Sequence, residues 1–272
     1  MLGTDVVQRL DGAHEVRALG HADLDITDAE SVAAVVTDVD VVVNCAAWTA
    51  VDAAETEESA AFTLNALGPQ LLARAARAAG ARMVQVSTDY VFDGRATTPY
   101  REDAPLSPAS AYGRTKGAGE WAVRAETEEH LVVRTAWLYG AHGGCFPKTM
   151  ARLAGEREEL QVVVDQVGQP TWTADVADLV VRLVEAAAPA GTYHATAAGQ
   201  VSWHGFTREI VAALGKDPGM VKETTSAAFV RPAPRPAYSV LGHGALERAG
   251  VAPIGDWRER WQAAAASVLG LG

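Results

Sequence analysis

Three apolar runs, each ending in small or polar residues, organise the first half of this chain. They are residues 39–44, 83–87 and 131–136, and each contains at least two valines. Helical segments separate them, including a long alanine-rich one at residues 57–79. Strands that alternate with helices of this length predict right-handed crossovers and a parallel sheet. We therefore expect an α/β fold.

Polar and aromatic side chains follow the predicted strands at the point where each strand ends. Thr88 and Asp89 come directly after the second run, and Trp137 follows the third. In open parallel sheets, ligands bind beyond the carboxyl ends of the strands. We expect these residues to line one cleft, together with Tyr112 and Lys116 from the helix between those two strands.

Tyr112 and Lys116 are four residues apart, so they share one face of a helix. A phenol has a reference pKa of about 10 and is a weak acid-base catalyst at neutral pH. A nearby ammonium favours the phenolate and lowers that pKa. The pair suits proton donation to a carbonyl oxygen that becomes an alkoxide. A surface tyrosine and lysine that share a face by chance are the alternative.

Composition excludes several classes of protein. The formal net charge of −11 argues against a nucleic-acid partner. Two cysteines, Cys45 and Cys145, provide neither a disulfide framework nor a metal-ligand cluster, so we expect no metal site. No apolar run approaches the roughly 20 residues that cross a bilayer, and the first residues lack a basic targeting region. We expect a cytoplasmic protein without a membrane partner.

The pattern changes after about residue 143, where elements become shorter and are interrupted by proline and glycine. Residues 161–165 and 192–195 are predicted as small strands, and residues 174–187, 204–214 and 256–268 as helices. The proline-rich residues 231–236 exclude helix and central strand. We interpret residues 1–142 as a dinucleotide-binding domain. Residues 143–272 form a smaller substrate lobe, partly interleaved with it.

Several motifs together resemble the extended short-chain dehydrogenase/reductase superfamily and, within it, the dTDP-4-dehydrorhamnose reductases. They are residues 45–52, 87–94, 99–103, 112–116, 134–139, 165–171, 202–203 and 235–241. The resemblance covers nearly the whole chain. It implies a Rossmann-like, doubly wound parallel sheet and a smaller C-terminal lobe that binds a dTDP-linked nucleotide sugar.

The resemblance also implies roles for individual residues. Tyr112 is the general acid, Lys116 tunes it and binds the nicotinamide ribose, and Thr88 hydrogen bonds to the substrate oxygen. Tyr112 and Lys116 both count among the cofactor-binding residues. The remaining cofactor-binding residues are Leu2, Gly3, Asp25, Ile26, Ala46 and Ala47, and the remaining substrate-binding residues are Asp89, Val91, Phe92 and Trp137.

Structural explanations compete with some of these roles. Thr88 could cap the strand end, Asp25 could be a turn residue, and Asp89 could bond to nearby backbone. Trp137 is large enough to belong to the core. Two arginines of the proline-rich segment, Arg231 and Arg235, could clamp a diphosphate or remain solvated.

The sequence departs from the family pattern in two places. Cys145 stands where the family usually has asparagine, which leaves the details of substrate binding open. The family begins with a strand and a glycine-rich turn that receives the pyrophosphate, whereas only residues 1–3 of that region are present here. We expect that the natural protein starts upstream by one strand plus the turn.

The leading interpretation is an NAD(P)H-dependent reductase that converts dTDP-4-dehydro-L-rhamnose to dTDP-L-rhamnose. A reductase or epimerase of another nucleotide sugar, and a non-catalytic regulatory subunit of the same fold, are the alternatives. No acidic residue marks a ribose 2′-hydroxyl after residues 16–19, and Gly20 and His21 leave room for a phosphate. This favours NADP(H), with NAD(H) as the other option. The oligomeric state stays open, with a homodimer as one option.

Overall fold

The computed structural model describes residues 1–271. Its helices are α1 (Leu2–Leu10), α2 (Ala29–Val35), α3 (Glu58–Phe62), α4 (Gly68–Ala79), α5 (Ala111–Glu126), α6 (Phe146–Glu156), α7 (Thr173–Glu185), α8 (Trp203–Ala213), α9 (Gly244–Arg248) and α10 (Trp257–Leu269). Its strands are β1 (Val41–Asn44), β2 (Arg82–Thr88), β3 (His130–Thr135), β4 (Leu138–Tyr139), β5 (Leu160–Val163), β6 (Val167–Gly168), β7 (Thr171–Trp172), β8 (Gly191–His194), β9 (Ala197–Ala198), β10 (Val201–Ser202), β11 (Val221–Thr224) and β12 (Ile254–Asp256). A π-helical turn, Thr63–Leu67, connects α3 to α4.

The central sheet contains four parallel strands in the order β1–β2–β3–β8. Its two faces are buried by different helices. Val84 on β2 packs into a cluster that includes residues of α1, α7 and α10, whereas its neighbour Met83 packs against α2 and α4. Because successive side chains of a strand point to opposite faces, both faces must be covered. The predicted Rossmann-like, doubly wound parallel sheet is confirmed.

The helix that carries Tyr112 is fixed at its start by a side-chain cap. Ser110 precedes α5, and its Oγ accepts a hydrogen bond of 3.1 Å from the backbone N–H of Gly113. Serine is favoured at this position because it satisfies one of the free N–H groups of the first turn. A β-carbon on Gly113 would lie 2.1 Å from the carbonyl oxygen of Tyr90. Only glycine therefore lets the first turn of α5 lie this close to the chain after β2.

Most predicted elements of the first half are found, within two or three residues of their expected ends, but one is wrong. Residues 16–19 were expected to form a strand, and they have no regular structure. A strand is stable only when a neighbouring ladder satisfies its backbone groups. Within residues 1–271, β1 pairs with β2 and with no second strand, so the ladder that residues 16–19 would join is not there.

The C-terminal part contributes both to the central sheet and to small two-stranded pairs. The predicted strand at residues 192–195 is β8, and it pairs in parallel with β3 as an outer strand of the central sheet. The small pairs are β4–β7, β5–β11, β6–β10 and β9–β12. Residues 231–236 are irregular, as expected. The division of the chain at residue 142 stays a prediction.

No helix within residues 1–271 combines the length and the apolar character that crossing a membrane requires.

Candidate active site

Tyr112 and Thr88 meet where the first turn of α5 reaches the carboxyl end of β2. Tyr112 is 9% exposed and Thr88 is 6% exposed. The ring of Tyr90 packs edge-on against Tyr112, with ring centroids 5.5 Å apart. Burial of the phenol raises the pKa of Tyr112 to about 12, which the Thr88 hydroxyl opposes and the charge of Asp89 increases. The phenol is therefore neutral over the physiological pH range.

Lys116 lies one turn after Tyr112, and its ammonium is directed back toward the sheet. Its Nζ donates a hydrogen bond of 2.7 Å to the carbonyl oxygen of Val86 on β2. Burial lowers the pKa of Lys116 to about 8, and Glu120 and Cys45 oppose that shift. The role of Lys116 in lowering the pKa of Tyr112 stays a prediction.

Asp89 directly follows Thr88, and it is 3% exposed. The Thr88 hydroxyl lies 3.0 Å from Oδ1 of Asp89, and it also accepts a hydrogen bond of 3.3 Å from the backbone N–H of Tyr90. Burial raises the pKa of Asp89 to about 6, although the neighbouring hydroxyls of Ser239 and Thr88 oppose the shift. Ser239 belongs to the C-terminal part of the chain, so the two parts of the protein meet at this carboxyl group.

Val91 and Phe92 do not reach the cleft. Val91 is fully buried and Phe92 is 2% exposed, and both belong to a hydrophobic cluster with Leu241. The ring of Phe92 stacks on Tyr100 at a centroid distance of 4.3 Å. Their side chains therefore pack in the interior behind the segment that carries Thr88 and Asp89, and their contact with the substrate stays a prediction.

Trp137 lies after β3 and stacks on a second tryptophan. Its ring centroid is 3.5 Å from that of Trp203, with an angle of 5° between the ring planes. Its φ of 47° places it in the left-handed region, which is uncommon for a bulky residue and often marks a functional site. Both rings are half-buried. Trp203, which the sequence analysis did not assign to the site, therefore holds Trp137 in place.

The predicted cofactor residues fall into two groups. Leu2 and Ile26 are 7% exposed, and each packs into a hydrophobic cluster. Gly3 lies in the first turn of α1, and Ala46 and Ala47 follow β1 at the edge of the sheet with Ala46 exposed. The side chains of the first group are buried, and the residues of the second lie at the carboxyl end of β1 and the start of α1. Contact of either group with a dinucleotide stays a prediction.

Asp25 is exposed and behaves as a turn residue. Its Oδ1 accepts hydrogen bonds from the backbone N–H of Thr27 at 2.9 Å and from the Thr27 hydroxyl at 2.7 Å. These bonds lower the pKa of the Asp25 carboxyl, with the hydroxyl as the largest cause. The structural alternative for Asp25 therefore has direct support.

Asn65 connects the segment after β1 to α5, and sequence reasoning missed it. Its side chain is fully buried in the π-helical turn. Oδ1 accepts a hydrogen bond of 2.8 Å from the N–H of Trp48, and Nδ2 donates to the Trp48 carbonyl at 3.1 Å and to Thr115 at 3.0 Å. Thr115 lies between Tyr112 and Lys116. Asn65 thus fixes the spacing between the segment after β1 and α5.

Arg235 pairs with Asp52 across the two parts of the chain. Its guanidinium donates a hydrogen bond of 2.8 Å to Oδ2 of Asp52, and the Ala233 N–H donates to Oδ1 at 3.2 Å. Arg231 is exposed, and its nearest approach to Asp52 is 4.0 Å. Of these two arginines, Arg235 is the one held at the cleft.

The departure at Cys145 lies at the start of α6. Cys145 is the residue before the first helical turn, and it provides no side-chain cap. Its Sγ lies 3.8 Å from the carbonyl oxygen of Gly140. A thiol is a weak hydrogen-bond donor, so this side chain contributes little polar recognition.

Known proteins of one family resemble this chain over nearly its whole length. The family described as "RmlD substrate binding domain" matches residues 1–269. A "dTDP-4-dehydrorhamnose reductase" of Streptomyces griseus is 50% identical over 95% of this chain and 88% of its own length. A "Probable dTDP-4,6-dihydroxy-2-methyloxan-3-one 4-ketoreductase" of Streptomyces antibioticus is 48% identical over 99% of this chain and 92% of its own.

A solved structure shows the same similarity in three dimensions. It is a dTDP-4-dehydrorhamnose reductase from Bacillus anthracis in complex with NADP, which is 35% identical and has a TM-score of 0.93. The alignment covers 96% of this chain and 94% of that one. Fold, site geometry and sequence agree, and the chain belongs to the RmlD substrate binding domain family, the family of the dTDP-4-dehydrorhamnose reductases.

Proposed function

We propose that this protein uses NADPH to reduce the C4 keto group of a dTDP-linked 4-dehydro-6-deoxysugar. The favoured substrate is dTDP-4-dehydro-L-rhamnose and the product dTDP-L-rhamnose. The observation that carries the proposal is the meeting of the Tyr112 phenol and the Thr88 hydroxyl at the carboxyl end of β2, one helical turn from Lys116. Relatives named as reductases of this sugar support it.

In this proposal Tyr112 is the proton donor. The substrate oxygen becomes an alkoxide as hydride adds to C4, and an alkoxide is a stronger base than a phenolate. A phenol is neutral at pH 7 at its ordinary pKa of about 10, and the raised pKa of about 12 keeps Tyr112 in the form that can donate. Thr88 contributes a second hydrogen bond that stabilises the developing negative charge.

The chain offers groups that fit a dinucleotide. Within residues 1–271, the first N–H groups of α1, at Leu2 and Gly3, have no backbone acceptor and no side-chain cap, and a helix N-terminus favours an anion such as a phosphate. Ala46 and Ala47 present small side chains at the sheet edge. One of the three N–H donors of Lys116 is hydrogen bonded to the carbonyl oxygen of Val86, and the other two can bind ribose hydroxyls. NADPH, when bound, supplies the hydride.

In this proposal the stacked rings of Trp137 and Trp203 contact the sugar. Arg235 binds a phosphate oxygen. Arginine binds phosphate in a fork geometry, and Asp52 orients that fork by its bond of 2.8 Å. A second candidate is another dTDP-linked 4-keto sugar, because relatives of similar identity are named for such substrates.

A spectrophotometric assay tests the proposal. NADPH oxidation is followed with dTDP-4-dehydro-L-rhamnose and with dTDP-4-keto-6-deoxy-D-glucose, and the product stereochemistry is read by NMR. Y112F should lower kcat by about 10²- to 10⁴-fold, the range of general acid catalysis, and leave NADPH affinity unchanged. Turnover of Y112F near that of the unsubstituted protein would contradict the role of Tyr112.

Omitting NADPH separates the alternatives. An epimerase would retain NAD and would convert a nucleotide sugar without external reductant, and a regulatory subunit would bind ligands without turnover. We further propose that the protein works in the cytoplasm as a homodimer, which fractionation and sedimentation at several concentrations would test.

A further inference from the structure

The proposed role of Thr88 raises a question of proton supply. A threonine hydroxyl has one proton to donate and two lone pairs that can accept. One lone pair accepts from the Tyr90 N–H at 3.3 Å. Asp89 Oδ1 lies 3.0 Å from the same oxygen. An ionised carboxylate only accepts hydrogen bonds, so an anionic Asp89 holds the single Thr88 proton and leaves none for a substrate oxygen.

A neutral Asp89 reverses this arrangement. Its O–H donates to the Thr88 hydroxyl and, together with the Tyr90 N–H, occupies both lone pairs. The Thr88 proton is then free, and Tyr112 can no longer donate to Thr88. Both hydroxyl protons, of Thr88 and Tyr112, are directed toward the one place where an acceptor arrives, the C4 oxygen of the sugar.

We propose that Asp89 acts in its protonated form as a positioning residue, donating to Thr88 so that Thr88 and Tyr112 together hydrogen bond to the substrate carbonyl. This inference rests on the proposed reductase function and assigns the protonation state that its site requires.

The surroundings of Asp89 shift it toward the neutral form. The residue is 3% exposed, and its Oδ2 has no partner in hydrogen-bond geometry among residues 1–271. The Ser239 and Thr88 hydroxyls and the backbone N–H groups of Asp89 and Tyr90 oppose the shift, and burial outweighs them. A buried anionic oxygen without a donor is costly, and a neutral carboxyl reduces that cost. No arginine or lysine in that part of the chain hydrogen bonds to Asp89.

The titratable groups that face Asp89 do not supply a positive charge. They are the phenols of Tyr90, in the turn after β2, and Tyr112, on α5. Ser239 faces it from the C-terminal segment as a neutral hydroxyl. Arg235 and Asp52 act on Tyr90, and they are bonded to each other. The pKa of Asp89 is accordingly raised from 3.8 to about 6 by burial.

Two substitutions at position 89 separate a positioning role from a purely structural one. D89N keeps the shape and can donate from Nδ2 to Thr88, as the neutral acid does. D89A removes the donor. We expect D89A to lower kcat by up to about 10²- to 10³-fold, the range for the loss of one oxyanion contact, and D89N to recover most of that loss at pH 6. D103N is the matched control, because Asp103 is exposed and pairs with the exposed Arg101.

The pH dependence gives a second readout. Asp89 is protonated below its pKa, so kcat of the unsubstituted protein should fall as pH rises through about 6, and D89N should remove that fall. Ser239 lowers the pKa of Asp89, so S239A should move the fall to higher pH. Infrared difference spectra should show a protonated carboxyl band that titrates in the same range and is missing in D89N.

The outcomes distinguish this inference from the function on which it rests. No NADPH-dependent turnover by the unsubstituted protein with any dTDP-linked 4-keto sugar would overturn both. An active unsubstituted protein in which folded D89N is as slow as D89A would overturn the Asp89 assignment alone, as would a kcat profile that D89N and S239A leave unmoved. Melting temperature and NADPH binding identify a variant that fails to fold. The infrared band then decides, because its absence at pH 5 in the unsubstituted protein also overturns the assignment.

Discussion

Arg134 donates two parallel hydrogen bonds to Glu120, from Nε to Oε1 and from a terminal nitrogen to Oε2, each 2.8 Å long. Both side chains are almost fully buried. The Ser87 hydroxyl donates a third bond of 2.6 Å to Oε1. Glu120 lies on α5, Ser87 on β2 and Arg134 on β3, so these bonds fix α5 on the two strands. Glu120 is nevertheless held ionised, since these donors outweigh its burial and lower its pKa.

Removing the charge of Glu120 should strongly destabilise the protein. E120Q leaves the buried Arg134 guanidinium without its counterion, which typically costs about 3–5 kcal/mol. Urea unfolding measures the change. E58Q is the control. Glu58 on α3 pairs with Arg114 on α5 at 2.8 Å, and both side chains are more than 40% exposed. Exposed pairs contribute about 0–1 kcal/mol. Equal losses in the two variants would contradict the importance of burial.

Lys116 should make stability depend on pH in a defined direction. Its pKa is about 8 in the folded protein against 10.5 when unperturbed, so between these values the unfolded chain binds the extra proton. Stability from this group therefore rises with pH across that window. The unfolding free energy of the unsubstituted protein minus that of K116M should increase from pH 8 to pH 10.5. A difference that is constant with pH would show that Lys116 is solvated.

Truncating Asn65 should loosen the segment after β1. N65A leaves the N–H and carbonyl of Trp48 without their partners, and each buried unpaired group costs about 1–3 kcal/mol. We expect a lower urea midpoint and a higher KM for NADPH. Q70A is the control, because the Gln70 side chain donates a hydrogen bond of 2.9 Å to Glu126 and does not contact Trp48 through a hydrogen bond within residues 1–271. Hydrogen exchange at Trp48 that is unchanged in N65A would be evidence against this role.

The Trp137 ring should be sensitive to the residue opposite it. A β-carbon on Gly168 would lie 2.5 Å from the ring of Trp137, so G168A must displace the indole from its stacked position. We expect KM for the nucleotide sugar to rise about 10-fold or more, with NADPH affinity unchanged. The control is G155A on α6, where a β-carbon meets nothing within 4 Å. G155A should leave KM unchanged and stabilise the helix by about 0.5–1 kcal/mol.

Residue patterns were enough to predict the parallel sheet and the proximity of Tyr112 to Thr88, because strand periodicity and helix spacing are local properties. They did not reveal Asn65, which looks like an ordinary polar residue in an alanine-rich helix. They also missed the ion pair between Glu120 and Arg134. These residues lie on α5 and β3, and only the packing of that helix on the sheet brings them together. Residues 16–19 were mispredicted because an apolar run forms a strand only where a ladder is available.

The stacked rings of Trp137 and Trp203 have a consequence for how the protein can be observed. Two indoles at 3.5 Å couple their electronic transitions, and coupled transition moments that are rotated relative to each other in the ring planes produce a paired positive and negative band in far-ultraviolet circular dichroism. A ligand that moves either ring changes that coupling. Sugar-nucleotide binding can therefore be titrated optically, without a label and without turnover, on the unmodified protein.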